Sequence, residues 1–326
     1  MNYPEIQQNK TSTHVDSIEQ LQAYIARPIT GYPHELIERI LEQKEYVTPK
    51  LLEMVEKFLA TSPRDMPHNE WLEGIVAFFI LSKFREKEAF PYALRLCLTP
   101  YKTVDSHLGD VATEHVAEFL ASTFNGDWEK LHSLVINQHL NEYLRGAVLN
   151  AYVILYMRNV IAREEILKVF SDFFDKLYDD FSVVPAMLVS CCCDIRAIEL
   201  NEKITNYFDH DIIDLDFIDS DFVDKAFALS QDEALEKLRD RTVFDFIDDL
   251  PNDMGWLFRT KEEEKKDDSD ELITECTYQR TIVRSPLFQQ MRKTGRNKPC
   301  YCGSEKKYKK CCLVIDQAMD QDSIPF

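Results

Sequence analysis

Glycine is scarce in this chain: 8 residues in 326, with only 13 prolines. So few backbone breakers exclude a fold made of many tight hairpins and favour long helices. No apolar run approaches the roughly eighteen residues a membrane-spanning helix needs. The longest, near 183–193, is interrupted by Pro185. Motifs of catalysis and nucleotide binding are missing as well. There is no G-x-x-x-x-G-K-[ST], no G-x-S-x-G, no H-E-x-x-H and no G-x-G-x-x-G. No signal-peptide pattern opens the sequence, so the expected compartment is the reducing cytoplasm, where disulfides are rare.

Positive charge is also short, 38 Lys and Arg against 57 Asp and Glu, a net of −19. It is unevenly spread. Residues 292–310 carry eight basic side chains against Glu305, a net of +7, which leaves −26 on the rest. An acidic body argues against nonspecific nucleic-acid binding by that body. Apolar residues make up 45% and aromatics 11%, enough for a sizeable core in one long domain or two.

The basic stretch also holds four of the nine cysteines, Cys300, Cys302, Cys311 and Cys312, spaced C-x-C-x8-C-C. Pro299 precedes the first pair and Gly303 follows it, as a tight turn requires. Two thiolates from the turn and two from the next segment can converge on one ion, and a closed all-sulfur set suits Zn²⁺. All four positions are sulfur, so the expected site is structural, with no open position for catalytic water. Gly295–Cys312 resembles the SEC-C motif, best known as the C-terminal zinc tail of the bacterial protein-export motor SecA. It departs from the family pattern at Tyr301, where the family has Pro, and at Glu305, where it has Gly. The resemblance implies a docking knuckle with one structural zinc. It also suggests an acidic chaperone or ribosomal surface as partner, met by a rim of Arg296, Lys298, Lys306, Lys307, Lys309 and Lys310.

Upstream, the spacing of apolar residues predicts helix after helix. Asp16 caps one running to about residue 27. Another covers 34–44, and Thr48-Pro49 reads as the start of a third. A buried central helix is expected over 69–85, then 89–98, a single helix over 108–124, and 128–136 after the Asn125-Gly126-Asp127 turn. Further helices cover 141–157, 163–178, 183–193 and 197–208, and one through Phe222, Phe227 and Leu238 closes the body near residue 241. Shorter amphipathic helices begin near Ala89, Trp128, Ala162 and Ala197, at spacings of 39, 34 and 35 residues. Helical pairs of that period point to an all-α, HEAT-like α-solenoid. Leu81-Ser-Lys-Phe-Arg85 with Ala89, Leu108-Gly-Asp110 with Thr113-Glu114, and Asn141-Glu-Tyr-Leu-Arg145 resemble an uncharacterised bacterial HEAT-like family that often carries a SEC-C tail.

The expected organisation is an N-terminal segment with one helix (1–29), a HEAT-like domain (30–244), a charged linker with short apolar patches (245–290), the knuckle (291–315) and a tail (316–326). Residues 245–260 contain enough apolar side chains to pack back on the body. Cys191, Cys192 and Cys193 point about 100° apart on a helix and read as core. The seven aspartates of 209–224 lack the EF-hand glycine and read as a solvated acidic edge. The leading function is a metal-binding protein-interaction adaptor. One alternative is an enzyme with a site near His107, Asp110, His115 and Arg145 in a groove of the solenoid; His107, Asp110, His115 and His132 form the best histidine cluster, and Arg145 can otherwise pair Glu142 along one helix. The other is a zinc-knuckle nucleic-acid binder stacking bases on Tyr301 and Tyr308, with ribosomal RNA as the plausible target.

Overall fold

The computed structural model describes residues 16–100, 103–240 and 245–260, and every regular element among them is a helix. The fold is all-α. The Cys300, Cys302, Cys311 and Cys312 quartet and its basic rim lie outside the described residues, as do most of the expected linker and the tail.

The first helices are α1 (Ser17–Ile25), α2 (His34–Leu41), α3 (Lys44–Ala60), α4 (His68–Lys83) and α5 (Phe90–Leu96). The next run is α6 (Val104–His107), α7 (Val111–Glu114), α8 (Val116–Thr123), α9 (Trp128–Ile136) and α10 (Glu142–Met157). The last are α11 (Arg163–Lys176), α12 (Val184–Asp194), α13 (Asn201–Asp209), α14 (Ser220–Ala228), α15 (Gln231–Arg239) and α16 (Leu250–Met254).

Two kinds of helix alternate. Inner ones are apolar almost all round: α4 is buried without a break from Leu72 to Ser82, and α8 throughout. Outer ones bury one stripe, such as Ile166, Phe170, Phe173 and Phe174 of α11. The inner helices pack in chain order, α4 on α8, α8 on α10, α10 on α12 and α12 on α14. Two helix glycines lie in close approach to a neighbouring side chain. A Cβ on Gly74 would lie 2.5 Å from Phe58 Cβ, and one on Gly146 would lie 2.2 Å from Met187 Sδ.

Four helices end in the same way. After α4, α10, α12 and α13 the chain turns through a left-handed residue: Arg85 (φ 55°), Asn159 (56°), Arg196 (51°) and Asp211 (54°). In each case the next N–H reaches back to the third-from-last carbonyl: Glu86 to Leu81, Val160 to Leu155, Ala197 to Cys192 and Ile212 to Tyr207. This is the Schellman termination, made here without glycine.

Three expected boundaries need correction. Pro49 lies inside α3, which starts one turn earlier at Lys44. Starting early buries Val47 fully and lets Lys44 Nζ donate to the Phe84 carbonyl, at 2.7 Å. Those gains offset the hydrogen bond that proline cannot make. The single helix expected over 108–124 is broken twice, at left-handed Gly109 (φ 53°) and at His115 (φ −123°). The closing helix is two, α14 and α15, because Ser230 and Glu233 form a capping box that starts a new helix.

Residues 245–258 form a strap on the helical body. Ile247, Leu250, Met254, Leu257 and Phe258 are buried, and α16 packs on α4. Among the described residues no helix is long and apolar enough to cross a membrane.

Candidate metal centre and the polar groups of the body

The side chains proposed for a site in the body occupy separate places. His107 ends α6, where its ring stacks on Phe58 at 4.7 Å with 7° between planes. Its carbonyl accepts from Trp71 Nε1 at 2.7 Å, and burial pushes its pKa down. Asp110 is exposed at the start of α7. His132 pairs with Asp172 of α11, Nε2 to Oδ2 at 3.0 Å.

His115 lies at the break between α7 and α8. Its ring stacks on Trp256 of the strap (5.9 Å, 9°) and meets Phe79 edge-on. Its Nδ1 lies 2.8 Å from a carboxyl oxygen of Glu118. Burial lowers the His115 pKa, while the carboxylates of Glu114 and Asp253 oppose that. Burial also pushes Glu118 up to about 9, helped by Asp253, Asp245 and Glu114. The two therefore form a neutral, hydrogen-bonded pair beneath the strap at neutral pH. Sequence reasoning missed Glu118. Its signal was a carboxylate set between Val116-Ala117 and Phe119-Leu120 on a helix buried on every side.

Arg145 is not part of a groove. It is 1% exposed and reaches from α10 to Asp180, itself 3% exposed. Its Nε donates to the Val135 carbonyl at 2.8 Å, and Nη1 donates to Ser182 Oγ at 3.3 Å. The side chain thereby ties α10 to the α9 end and to the loop after α11, a structural role. Two further arginines, also missed, serve the strap. Arg85 and Arg158 flank Phe246, with guanidinium carbons 4.6 and 5.0 Å from its ring centre.

A surface cleft of about 170 Å³ is lined by Phe174, Asp175, Tyr178, Lys203, Asn206 and Tyr207. Two of its polar side chains are engaged: Lys203 with Asp175 and the Ser171 carbonyl, and the Tyr207 hydroxyl with the Phe174 carbonyl. The three consecutive cysteines are core, with Cys192 fully buried and burial pushing its thiol up. In the acidic run, Asp219 caps α14 and Asp214 accepts from the Asp216 amide. Among the described residues no group of three or more His, Cys, Asp or Glu is placed to hold a metal.

Comparison with known proteins assigns the body and the end of the chain separately. A family described as Protein of unknown function (DUF1186) matches residues 16–261. The chain belongs to that family. The match takes in the whole helical body and the strap. The SEC-C motif matches residues 296–313, the stretch that holds the cysteine quartet.

Two chlamydial proteins, each described as uncharacterized, are 27% identical to the chain. The one from Chlamydia trachomatis aligns over 184 residues, 56% of this chain and 72% of its own. The one from Chlamydia muridarum aligns over 231, 70% of this chain and 91% of its own. The protein translocase subunit SecA of Sulfurimonas denitrificans is 25% identical over 304 residues, 85% of this chain but 33% of that SecA. No solved structure gives a significant match.

Proposed function

We propose that this protein is a metal-binding protein-interaction adaptor. Its helical body, read as a HEAT-like array over 30–244, would hold one partner, and a small zinc knuckle over 291–315 would dock on another. The SEC-C match over 296–313 carries this reading, because it falls on four cysteines within thirteen residues. Cys300, Cys302, Cys311 and Cys312 are the ligands. Their donor set, four thiolates with no oxygen or nitrogen, fits one structural Zn²⁺. The bound ion supplies folding energy to a segment with few apolar side chains of its own.

Lys306, Lys307, Lys309 and Lys310 lie between the two ligand pairs, and Arg296 and Lys298 precede the first. With the ligands fixed, this rim is preorganised, which lowers the entropy lost on binding. Its partner is an acidic surface, on a cytoplasmic chaperone or a ribosome. Clustered charge speeds that encounter and makes it salt-sensitive. The structural role of Arg145 and the scatter of His107, Asp110 and His132 favour a scaffold over the groove-enzyme reading.

Ribosome co-sedimentation, together with pull-down of an acidic chaperone, tests this. The chain with Lys306, Lys307, Lys309 and Lys310 changed to Glu keeps zinc and loses binding. Binding that survives both this change and high salt would move the docking surface to the helical body.

A further inference from the structure

Each of the strap's first four described residues, Asp245-Phe246-Ile247-Asp248, is contacted by the helical body. Asp245 pairs with Arg158 Nε. Phe246 sits between the two guanidiniums, an arrangement that favours an aromatic over an aliphatic side chain. Ile247 is fully buried, its N–H donating to Ser122 Oγ at 3.0 Å and its carbonyl accepting from Arg85 Nη1 at 2.9 Å. The Asp248 carboxylate is shared, one oxygen 2.6 Å from Arg85 and the other 2.7 Å from Arg158. Its carbonyl accepts from Lys83 at 2.6 Å.

The receiving groups come from the ends of three inner helices. Lys83 and Arg85 close α4, Ser122 lies in the last turn of α8, and Arg158 caps α10. Arg85 holds a left-handed backbone that costs a non-glycine residue free energy. That conformation lets it donate to both the Ser82 carbonyl of its own helix and the strap. Cationic donors, burial of one aliphatic side chain and hydrogen bonds to the backbone are the elements that acidic-motif recognition sites use.

We propose that this notch is a docking site for a partner segment of Asp-Phe-Ile-Asp chemistry, and that the strap is its built-in competitor. The competitor is displaceable. The Asp245 and Asp248 side chains remain 52% and 48% exposed, and the two arginines 34% and 32%. Such ion pairs are individually weak and screened by salt. Only Ile247 is fully desolvated within the tetrapeptide. Tethering gives the strap a high effective concentration, so a free peptide must overcome it. The apparent affinity of the peptide is therefore reduced by the fraction of time the strap is docked. This proposal is independent of the zinc knuckle and of its basic rim.

Fluorescence anisotropy with a labelled peptide of residues 243–250 tests it on the full chain. The strap-loosened variant, Asp245→Asn with Phe246→Ala and Asp248→Asn, binds that peptide about tenfold or more tighter than wild type. Adding Arg85→Gln and Arg158→Gln abolishes the gain, and a scrambled peptide binds neither chain. Equal binding of native and scrambled peptide, or no difference between wild type and the loosened variant, overturns the proposal. Hydrogen exchange on wild type needs no variant: excess native peptide accelerates exchange of the Ile247 amide. Unchanged protection at saturating peptide overturns it as well.

Discussion

Replacing Arg145 with Met asks whether that arginine is structural or functional. The guanidinium is 1% exposed, and its partners are Asp180, Ser182 and the Val135 carbonyl. Met has a similar length and no charge, so the hydrophobic volume survives while three donors vanish. Asp180, 3% exposed, is then a buried carboxylate without its counter-ion. Removing one partner of a buried pair costs about 3–5 kcal/mol. With a urea slope of about 3 kcal/mol per M, the unfolding midpoint drops by about 1–1.7 M. Adding Asp180→Asn removes the orphaned charge and keeps an acceptor for the Ser182 amide, now 3.0 Å from Asp180 Oδ1. The double variant therefore regains about 1–3 kcal/mol. Urea titration followed by circular dichroism reads both changes. A midpoint within about 0.3 M of wild type for Arg145→Met alone would refute the structural assignment.

Three further outcomes follow from the packing. Glu118 keeps its proton to about pH 9 when folded but releases it near 4.5 when unfolded. Folding thus loses about 1.4 kcal/mol per pH unit between those values. Glu118→Gln removes the slope, so in thermal melts the melting temperature of the variant minus that of wild type rises from pH 5 to 8; a difference that stays constant or falls contradicts this. Gly74→Ala lowers stability by about 1–3 kcal/mol, because the root of the Phe58 side chain cannot swing away. Gly146→Ala stays within about 1 kcal/mol of wild type, since flexible Met187 can move and alanine favours helix; equal losses at the two sites would be the wrong result. A thiol reagent leaves Cys97, Cys192 and Cys193 unmodified in the native chain, because burial pushes all three thiols up; mass spectrometry that finds any of them labelled without unfolding contradicts their burial.

Much of the helical body was legible in the sequence because period and punctuation agreed. Asp16, Asp127 and Asn141 each accept from backbone amides at the helix starts expected of them. The unbroken apolar run of α4 announced a central helix. Misreadings arose where tertiary contacts outweighed local preference. Pro49 resembled a start, yet burying Val47 extended α3 past it. His115 looked like part of a continuous helix over 108–124, but the break there leaves its ring stacked on Trp256, far along the chain. Arg145 looked like surface chemistry because its partner Asp180 is 35 residues away. Still longer separations hid the Phe246 notch, whose arginines belong to helix ends 162 and 87 residues from the strap atoms they bind. The Ser230-x-x-Glu233 box and the carboxylate of Glu118 inside an apolar run were readable locally and overlooked.

The central claim concerns the metal, and zinc content measures it directly. Elemental analysis of the purified full chain, beside the variant with Cys300, Cys302, Cys311 and Cys312 all changed to Ser, decides it. One zinc per wild-type chain and none in the variant, with the helical signal of the body the same in both, is the expected result. Stoichiometric zinc retained by the variant would place the metal elsewhere and contradict the assignment.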